Sequence, residues 1–355
     1  VGLVIVPLAL LGLLFGIFSL AAQQFIWWLA LQAVNVLNAY LLWWTNINVA
    51  AQSYVLSMVS IVFLTVLVSL WLLPKQISPR YLTPILCLPL IYRWPSLQQG
   101  EVQLSVLDVG QGLSVLIQTE KHQLLYDTGA NTSAGERIIN PYLHYLGVNK
   151  LDGLMISHND KDHTGGADAV FTQFIPQQLW YSAKPQGYQP PTQTIQHECY
   201  AGQTWQWDGV SFVVLSPVNG VSYDKDNNRS CVLRVSAQGF SVLLTGDMEA
   251  PAEQVLLKQA ENLHSDILLL GHHGSKTSST ETFIEAVQPK LAIVSAGYLN
   301  HFGHPAPIVM QRLQKRHIHI DNTIEQGTLR YHLHKQGFIL QEAWRKRGHY
   351  WLNMP

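Results

Sequence analysis

The chain has 355 residues, 48% of them hydrophobic, and a formal net charge of -1. Its first 100 residues contain only three charged side chains, and all 23 acidic residues and all 15 histidines follow them. Residues 101–355 therefore carry 19 basic against 23 acidic side chains, which excludes a strongly basic domain that attracts nucleic acid by bulk charge. The length and the uneven charge predict two parts with a boundary near residue 100.

The first part is predicted to contain transmembrane helices. Two uncharged apolar runs, residues 2–22 and 54–73, each have about the 20 residues needed to cross a bilayer. The first run has no basic region before it and no clear cleavage site, which argues against a signal peptide. Because the chain begins at Val1, we expect it to be part of a longer membrane protein.

Between these runs, residues 25–44 are apolar but carry amides on one side. Gln24, Gln32, Asn35 and Asn38 fall within an arc of roughly 120° on a helix, which is typical of an amphipathic helix. Such a helix lies at the membrane interface or turns its amides towards a polar pore, and we favour the interface.

The connections give a weak indication of orientation. Lys75 and Arg80 follow the second run, which favours the cytoplasm for that connection. Residues 81–92 are short for a further span. If they cross, the histidine-rich part lies outside the cytoplasm, and if they do not cross, it lies inside.

After residue 100 the sequence alternates short apolar runs with turns rich in Gly, Asn and Asp. This pattern predicts strands at residues 102–107, 114–118, 123–126, 151–156, 212–215, 231–235, 241–244, 267–270 and 291–295. It predicts helices at residues 137–146, 167–174 and 250–260. The order of elements favours an α/β fold with two sheets packed inside helical layers. Cys87, Cys199 and Cys231 show no framework spacing, so we expect them to be small core residues.

The most informative motif follows the predicted strand at 151–156. Four side chains that can bind metal, His158, Asp160, Asp162 and His163, lie within six positions. In an extended segment, His158 and Asp160 point to one side and can share a metal, while Asp162 and His163 can serve a second. Mixed imidazole and carboxylate ligands suit Zn²⁺ or Mn²⁺, and two such ions activate water for hydrolysis. The alternative is a polar loop with solvated histidines, which this spacing disfavours.

Four further motifs accompany this loop. They are Leu-Asp-Val-Gly-Gln-Gly at 107–112, Tyr-Asp-Thr-Gly at 126–129, Leu-Thr-Gly-Asp at 244–247 and Gly-His-His-Gly-Ser at 271–275. Together with the histidine loop they resemble the metallo-β-lactamase superfamily, and within it the C-terminal domain of the ComEC family of DNA-uptake channels. The resemblance covers residues 101–335. It implies an αββα sandwich preceded by transmembrane helices at 1–95, the tail of a channel domain, and followed by a basic tail at 336–355.

The resemblance also implies roles for single residues. Asp247 would bridge two divalent metals, and His304 would be the closing histidine ligand. His272 and His273 would contact the phosphate or protonate the leaving group. The alternatives are that Asp247 only caps the following helix and that the histidine pair lies at the surface.

The motifs depart from the family pattern at two places. Asp160 stands where many members have a second histidine, and Asn227 or Asn228 replaces the mid-chain histidine ligand. More oxygen ligands make Mn²⁺ more plausible relative to Zn²⁺. Asn228 and Ser275 are the weaker candidates for the site.

The resemblance predicts a metal-dependent phosphodiesterase or nuclease that degrades the strand that is not imported during natural transformation. The predicted partners are DNA, the membrane and other components of the DNA-uptake machinery. The predicted location is the bacterial inner membrane, with several spans and with the hydrolase domain favoured on the periplasmic or extracellular side. The alternatives are a DNA-guiding module with a degenerate metal site and a hydrolase of another phosphodiester.

Overall fold

A computed structural model describes residues 4–46, 58–74, 78–91, 97–259 and 262–346. Its contacts divide the chain into two compact units, residues 1–55 and 56–355. Lys75, most of the predicted connection at 45–53 and the end of the predicted basic tail lie outside the described residues. The domain boundaries predicted from the sequence therefore stay a prediction.

The first unit contains two apolar helices, α1 at Ile5–Gly16 and α2 at Leu20–Asn46. The Trp27 indole nitrogen donates a hydrogen bond to the Ala9 carbonyl at 3.3 Å. A Cβ at Gly12 would lie 2.3 Å from the same indole, so glycine permits the close approach of these two helices.

The predicted spans are wrong within the described residues. Within the run at 2–22, the first helix ends at Gly16. Ser19 caps the next helix, because its hydroxyl accepts a hydrogen bond from the Ala22 nitrogen at 3.3 Å. The described part of the second run is α3 at Met58–Leu72, which has only 15 residues. By length and composition, one helix of the described chain can cross a membrane, at Leu20–Trp43. It contains most of the segment predicted to lie at the interface.

The second unit contains the remaining helices and all described strands. Its helices are α3, α4 (Thr83–Ile91), α5 (Thr132–Ala134), α6 (Asn140–Tyr145), α7 (Lys161–Thr164), α8 (Ala167–Phe171), α9 (Ala250–Gln259), α10 (Glu281–Val287), α11 (Pro307–Lys315) and α12 (Thr323–Gln326). Its strands are β1 (Val102–Val106), β2 (Val115–Gln118), β3 (Gln123–Tyr126), β4 (Gly153–Ile156), β5 (Gln178–Tyr181), β6 (Ile195–Glu198), β7 (Thr204–Trp207), β8 (Val210–Ser216), β9 (Val232–Ala237), β10 (Phe240–Leu244), β11 (Ile267–Leu269), β12 (Leu291–Val294), β13 (His319–Asn322), β14 (Leu329–His334) and β15 (Gly337–Ala343).

The strands form two mixed sheets. The first has the order β15-β14-β1-β2-β3-β4-β5-β6, and the second has the order β13-β12-β11-β10-β9-β8-β7. Each sheet has an antiparallel part and a parallel part. The parallel strands are β3 to β6 in the first sheet and β10 to β13 in the second. The carboxyl ends of the parallel strands in each sheet therefore meet at one edge.

The apolar side chains form three layers of core. The central layer lies between the sheets and includes the fully buried Tyr126, Phe212 and Tyr331. A second layer packs helices such as α6 against the outer face of the first sheet, through Leu143. A third layer packs α10 and α11 against the second sheet. This arrangement is the αββα sandwich that the sequence predicted.

The bounds of several elements differ from the predicted ones. The predicted helix at 137–146 is a π-helical turn at Gly135–Ile139 followed by α6. The sheet extends beyond residue 335, because β15 occupies part of the predicted basic tail and pairs with β14. Its apolar residues at 338–340 complete the edge of the first sheet, so residues 337–343 of the predicted tail form a strand.

The prediction for the cysteines is also wrong in part. Cys199, directly after β6, and Cys231, directly before β9, form a disulfide with a Cα–Cα distance of 5.9 Å. Both residues are buried, as expected for core residues, but the bond joins a strand of one sheet to a strand of the other. Cys87 is a free thiol. Spacing along the chain did not indicate the pair, because 32 residues separate its members.

We expect reduction of this disulfide, or Cys199→Ser, to lower the free energy of unfolding by about 3 kcal/mol. The reason is that the bond closes a loop and so limits the conformations of the unfolded chain. Denaturant midpoints with and without a thiol reductant measure the effect. Cys87→Ser is the matched control, and its denaturant midpoint should fall on addition of the reductant as much as that of the parent. An identical midpoint for the parent with and without the reductant would contradict the prediction.

Candidate metal centre

The loops that carry the predicted site residues follow parallel strands of both sheets. Ser157 and His158 follow β4, and Asp247 lies just after β10. A Cβ at Gly246, where φ is +54°, would lie 2.8 Å from the Ser157 Cβ. Glycine at this position therefore lets the loop of one sheet approach the loop of the other. Loops held in this way on a rigid scaffold are common places for functional side chains.

Four side chains come together between these loops. Asp162, His163, Asp247 and His273 each offer one ligand atom, and these atoms all lie within 4.8 Å of one another. The His163 Nε2 atom lies 3.1 Å from Asp247 Oδ1, and the His273 Nε2 atom lies 3.1 Å from Asp162 Oδ2. The same His273 nitrogen is 3.6 Å from Asp247 Oδ2. Two imidazoles and two carboxylates are a donor set that suits a divalent transition metal.

His158 and Asp160 lie beside this cluster. The His158 ring centre is 4.2 Å from that of His163, and its Nε2 atom is 3.5 Å from Asp160 Oδ2. The loop is not extended throughout, because Asp160 precedes the helical turn α7, on which Asp162 and His163 lie. Asp162 and His163 therefore point away from His158 and Asp160 because they lie on a helical turn, and not because side chains alternate along a strand.

Four buried atoms of the predicted site residues make no hydrogen bond of good geometry within the described residues: His158 Nε2, His163 Nε2, Asp247 Oδ1 and His304 Nδ1. His163 Nε2 faces Asp247 Oδ1 at 3.1 Å, and His158 Nε2 lies 3.5 Å from Asp160 Oδ2, so these atoms pair only while the imidazoles carry protons. Divalent metal ions would take the place of those protons, and the residues present therefore fit the metals that the fold implies.

Asp127 orients His163 from behind. Its carboxylate accepts a hydrogen bond from His163 Nδ1 at 2.7 Å, and both residues are fully buried. It also accepts bonds from the Ser157 backbone nitrogen and hydroxyl, each at 2.7 Å. A proton held on Nδ1 leaves the Nε2 lone pair of His163 directed at the cluster, as in the carboxylate–histidine–metal arrangement. Asp127 belongs to the Tyr-Asp-Thr-Gly motif, but the motif alone did not indicate that it orients a histidine.

We expect Asp127→Asn to lower metal affinity about 10- to 100-fold while the domain stays folded. The amide keeps the size of the side chain, but the charge that fixes the His163 tautomer is lost. Competition with a chromogenic chelator measures the affinity, and circular dichroism checks the fold. Metal affinity equal to that of the parent would show that Asp127 does not orient a ligand.

The histidine pair at 272 and 273 divides between two environments. Both residues have left-handed backbone angles, with φ of 48° and 55°. His273 is buried, and its Nδ1 atom donates to the Ser295 carbonyl at 2.8 Å, so that Nε2 faces the cluster. The His272 side chain is 26% exposed, and its Nε2 atom is 3.8 Å from Asp247 Oδ2. The geometry therefore suits His273 to metal binding and leaves His272 for contact with substrate.

His304 lies at the rim. Its ring centre is 5.6 Å from that of His272 and 6.3 Å from that of His273, and it is not among the four clustered residues. Asn300 holds this turn by accepting from the His304 nitrogen at 2.9 Å and donating to its carbonyl at 2.7 Å. Burial and the neighbouring histidines lower the pKa of His304, which favours the neutral ring. Its role as the closing ligand stays a prediction.

The two weaker candidates support the site from its border. The Asn228 amide accepts from the Glu249 nitrogen at 3.2 Å and donates to Asp224 at 3.0 Å, which occupies both of its functional groups. The Ser275 hydroxyl lies 3.0 Å from that of Thr277. These contacts indicate that Asn228 and Ser275 hold loops in place.

Glu249 is a member of the site that the sequence analysis missed. Its carboxylate is buried, accepts a hydrogen bond from Thr277 at 2.9 Å and lies 3.3 Å from His272 Nδ1. Lys225 binds its other oxygen at 2.7 Å. Its position two residues after Asp247 was the signal that could have indicated it.

The charges of the cluster balance one another. Burial raises the pKa of Asp162, but the hydrogen bond from His273 and the charge of His163 lower it to about 2. Burial acts in the same direction on Asp247, and again His163 and His273 hold its pKa well below the usual range. Burial lowers the pKa of His163, but Asp247 and Asp127 raise it well above its ordinary value. Protons on the imidazoles thus stand where cations can bind, and metal binding would release them.

Comparison with known proteins agrees with this architecture. Residues 107–298 match the family model for the metallo-beta-lactamase superfamily. Competence protein ComA of Neisseria gonorrhoeae is 40% identical over 288 residues, which cover 81% of this chain and 40% of ComA. Recombination protein 2 of Haemophilus influenzae is 37% identical over 262 residues, which cover 73% of this chain and 32% of that protein. The metallo-beta-lactamase fold protein YhfI of Bacillus subtilis has a TM-score of 0.45 at 13% identity, covering 65% of this chain and 99% of its own.

The two sheets inside helical layers and the histidine–aspartate cluster at their edge define a metallo-β-lactamase-fold protein with a candidate metal centre. The chain belongs to the metallo-β-lactamase superfamily. Within it, the chain is homologous to the competence proteins of the ComEC family. It spans about 40% of the length of ComA, so the activity of a whole competence protein does not transfer to it directly.

Proposed function

We propose that the second unit is a metal-dependent phosphodiesterase that cleaves DNA during uptake and degrades the strand that is not imported. The observation that carries the proposal is the cluster of Asp162, His163, Asp247 and His273, whose ligand atoms all lie within 4.8 Å of one another. A domain that only guided DNA would have no need to gather two carboxylates and two imidazoles at one largely buried place. The homology to competence proteins supports DNA as the substrate.

Two groups of residues would hold the metals. His158 and Asp160 form one group, and Asp162, His163 and His273 form the other. Both oxygens of Asp247 face the second group, Oδ1 towards His163 and Oδ2 towards His273, and the resemblance to the superfamily implies that Asp247 would also reach the first metal. Two divalent ions, Zn²⁺ or Mn²⁺, supply Lewis acidity and activate water when they are bound.

His272 is the proposed contact to the phosphoryl oxygen or the leaving group. It is partly exposed, and it lies beside the cluster without being enclosed by it. Glu249 and Thr277 lie 3.3 Å from its Nδ1 atom, so they position the ring and hold a proton there. The opposite nitrogen is left to face a substrate oxygen and to donate a proton to it. The His304 ring lies beside this histidine, with the two ring centres 5.6 Å apart.

The proposed location is the outer side of the bacterial inner membrane. The disulfide between Cys199 and Cys231 supports this side, because disulfides form and persist in oxidising compartments such as the periplasm or the cell exterior. The apolar helix at Leu20–Trp43 supports attachment to the membrane. The number of spans in the whole protein, and its partners in the uptake machinery, stay predictions.

Metal-dependent hydrolysis by the purified full chain tests the proposed function. We expect metal-free protein to be inactive on single-stranded and duplex DNA, and we expect Mn²⁺ or Zn²⁺ to restore cleavage in proportion to the metal bound. The non-cleavable strand analogue with phosphorothioate linkages serves as the substrate control. Stoichiometric metal without cleavage of DNA or of a nitrophenyl diester would favour a guiding module. Cleavage of the small diester alone would favour another phosphodiester as substrate.

A further inference from the structure

The candidate metal centre adjoins a cavity of about 760 Å³ that the residues assigned above do not use. Ser182 and Arg229 are part of its wall. Ser182 directly follows β5, whose last residue, Tyr181, pairs with Ile156 at the end of β4. The cavity therefore begins beside the strand that leads into His158. A substrate longer than one phosphodiester would extend into this space.

The turn that carries Arg229 is fixed to both loops of the metal centre. Asp226 accepts a hydrogen bond from the Asn159 backbone nitrogen at 2.7 Å. Ser230 accepts one through its hydroxyl from the Asp247 backbone nitrogen at 3.1 Å. Arg229 lies between these two anchors, so its place relative to the metal ligands is set by short hydrogen bonds and not by a mobile loop.

The guanidinium of Arg229 has no hydrogen bond and no ion pair with any residue in the described ranges. Several other cations of this unit have an anionic partner, as Lys225 has in Glu249 and Arg345 has in Asp108. Arg229 is half-buried, so part of its hydration is lost without compensation from an anion. A planar guanidinium binds two oxygens of a phosphate at once, which would provide that compensation.

We propose that this cavity is a subsite for the sugar-phosphate backbone next to the bond that is cleaved, and that Arg229 binds a phosphate there. The inference rests on the proposed function and specifies its substrate as a DNA strand rather than a small diester. The cavity wall also supplies neutral donors and acceptors for sugar and phosphate oxygens: Gln196, Asn219 and Ser222. Glu198 lines the same cavity but is exposed, and it forms no ion pair with Arg229. Such contacts read the backbone and not the sequence of bases.

Binding of a fluorescent single-stranded oligonucleotide to the full chain tests the subsite. Anisotropy is measured in EDTA so that no variant cleaves the probe. We expect Arg229→Ala to weaken binding about tenfold. It should also lower the slope of log K against log salt by about 0.7, the value for one phosphate of a single strand. Arg229→Lys should restore part of the affinity, because it keeps the charge without the planar fork.

Arg137→Ala is the matched control, because it removes the same charge from an exposed helical position. We expect it to change affinity by less than about twofold, as for a screened surface charge. An equal loss in both variants, or no oligonucleotide binding by the parent, overturns the inference. Binding without hydrolysis by the parent would instead overturn the proposed hydrolase function and leave the subsite standing.

A small diester separates the subsite from the metal centre. Nitrophenyl phosphodiesters have no neighbouring phosphate to reach Arg229, so Arg229→Ala should leave their kcat and KM unchanged while it raises KM for the oligonucleotide. A matching loss on the small diester at constant bound metal would place Arg229 at the reacting phosphate and overturn the subsite.

Discussion

Asp247→Ala abolishes metal binding and lowers hydrolysis by about 10³-fold or more, which corresponds to about 4 kcal/mol of transition-state stabilisation. This is the expected result because the carboxylate lies within reach of His163 and of both histidines of the pair. The side chain lies in a loop after β10 and outside the apolar layers, so we expect the metal-free domain to stay folded without it. Asp162→Ala should behave in the same way.

Metal content by atomic emission, thermal unfolding and hydrolysis measure the three parts of this prediction. Glu136→Ala is the control, because it removes an exposed carboxylate on the outer helical layer. If Asp247→Ala cleaved DNA at the parental rate under metal-limited conditions, the assignment of Asp247 would be wrong. A large fall in its melting temperature without metal would show that Asp247 serves the fold.

The second large effect separates His273 from His272. We expect His273→Ala to lose metal and to fail on every substrate, because its Nε2 atom lies 3.1 Å from Asp162 and 3.6 Å from Asp247. His272→Ala should keep its metal but slow DNA hydrolysis about 10²- to 10⁴-fold, as for the loss of a general acid. Its defect should shrink on a nitrophenyl diester, whose leaving group needs no proton.

His304→Ala completes this comparison. Because its role as the closing ligand is predicted, we expect it to lose metal and to fail on DNA and on the nitrophenyl diester alike. Equal metal contents in the His272 and His273 variants would collapse the distinction between ligand and proton donor. Metal retained in the His304 variant would show that this ring at the rim is not a ligand.

The membrane half shows how a local signal can mislead. Composition identified long apolar runs correctly, but it did not locate their breaks. Ser19 interrupts the first run by capping a new helix, and the segment whose amides suggested an interface became the longest apolar helix. The helix is long and apolar enough to cross a membrane although six of its 27 residues are amides.

The amino-acid sequence by itself determined the class of the fold and the loops of the site. Alternation of apolar residues fixes which segments become buried strands, and histidines and aspartates placed just after them must emerge at strand ends. Two sheets inside helical layers follow from these local rules, whereas the proximity of 158–163 to Asp247 was implied by the resemblance to the superfamily. The motifs also sufficed to recognise the superfamily, since their order is specific.

Only the tertiary structure decided which of these side chains meet. It brings His273 to Asp162 across 111 positions, places Asp127 behind His163, and joins Cys199 to Cys231. Spacing along a chain carries no information on such distances, because they depend on how two sheets pack and on backbone angles at single residues. For the same reason, the sequence could not show that Arg229 faces a cavity without a partner.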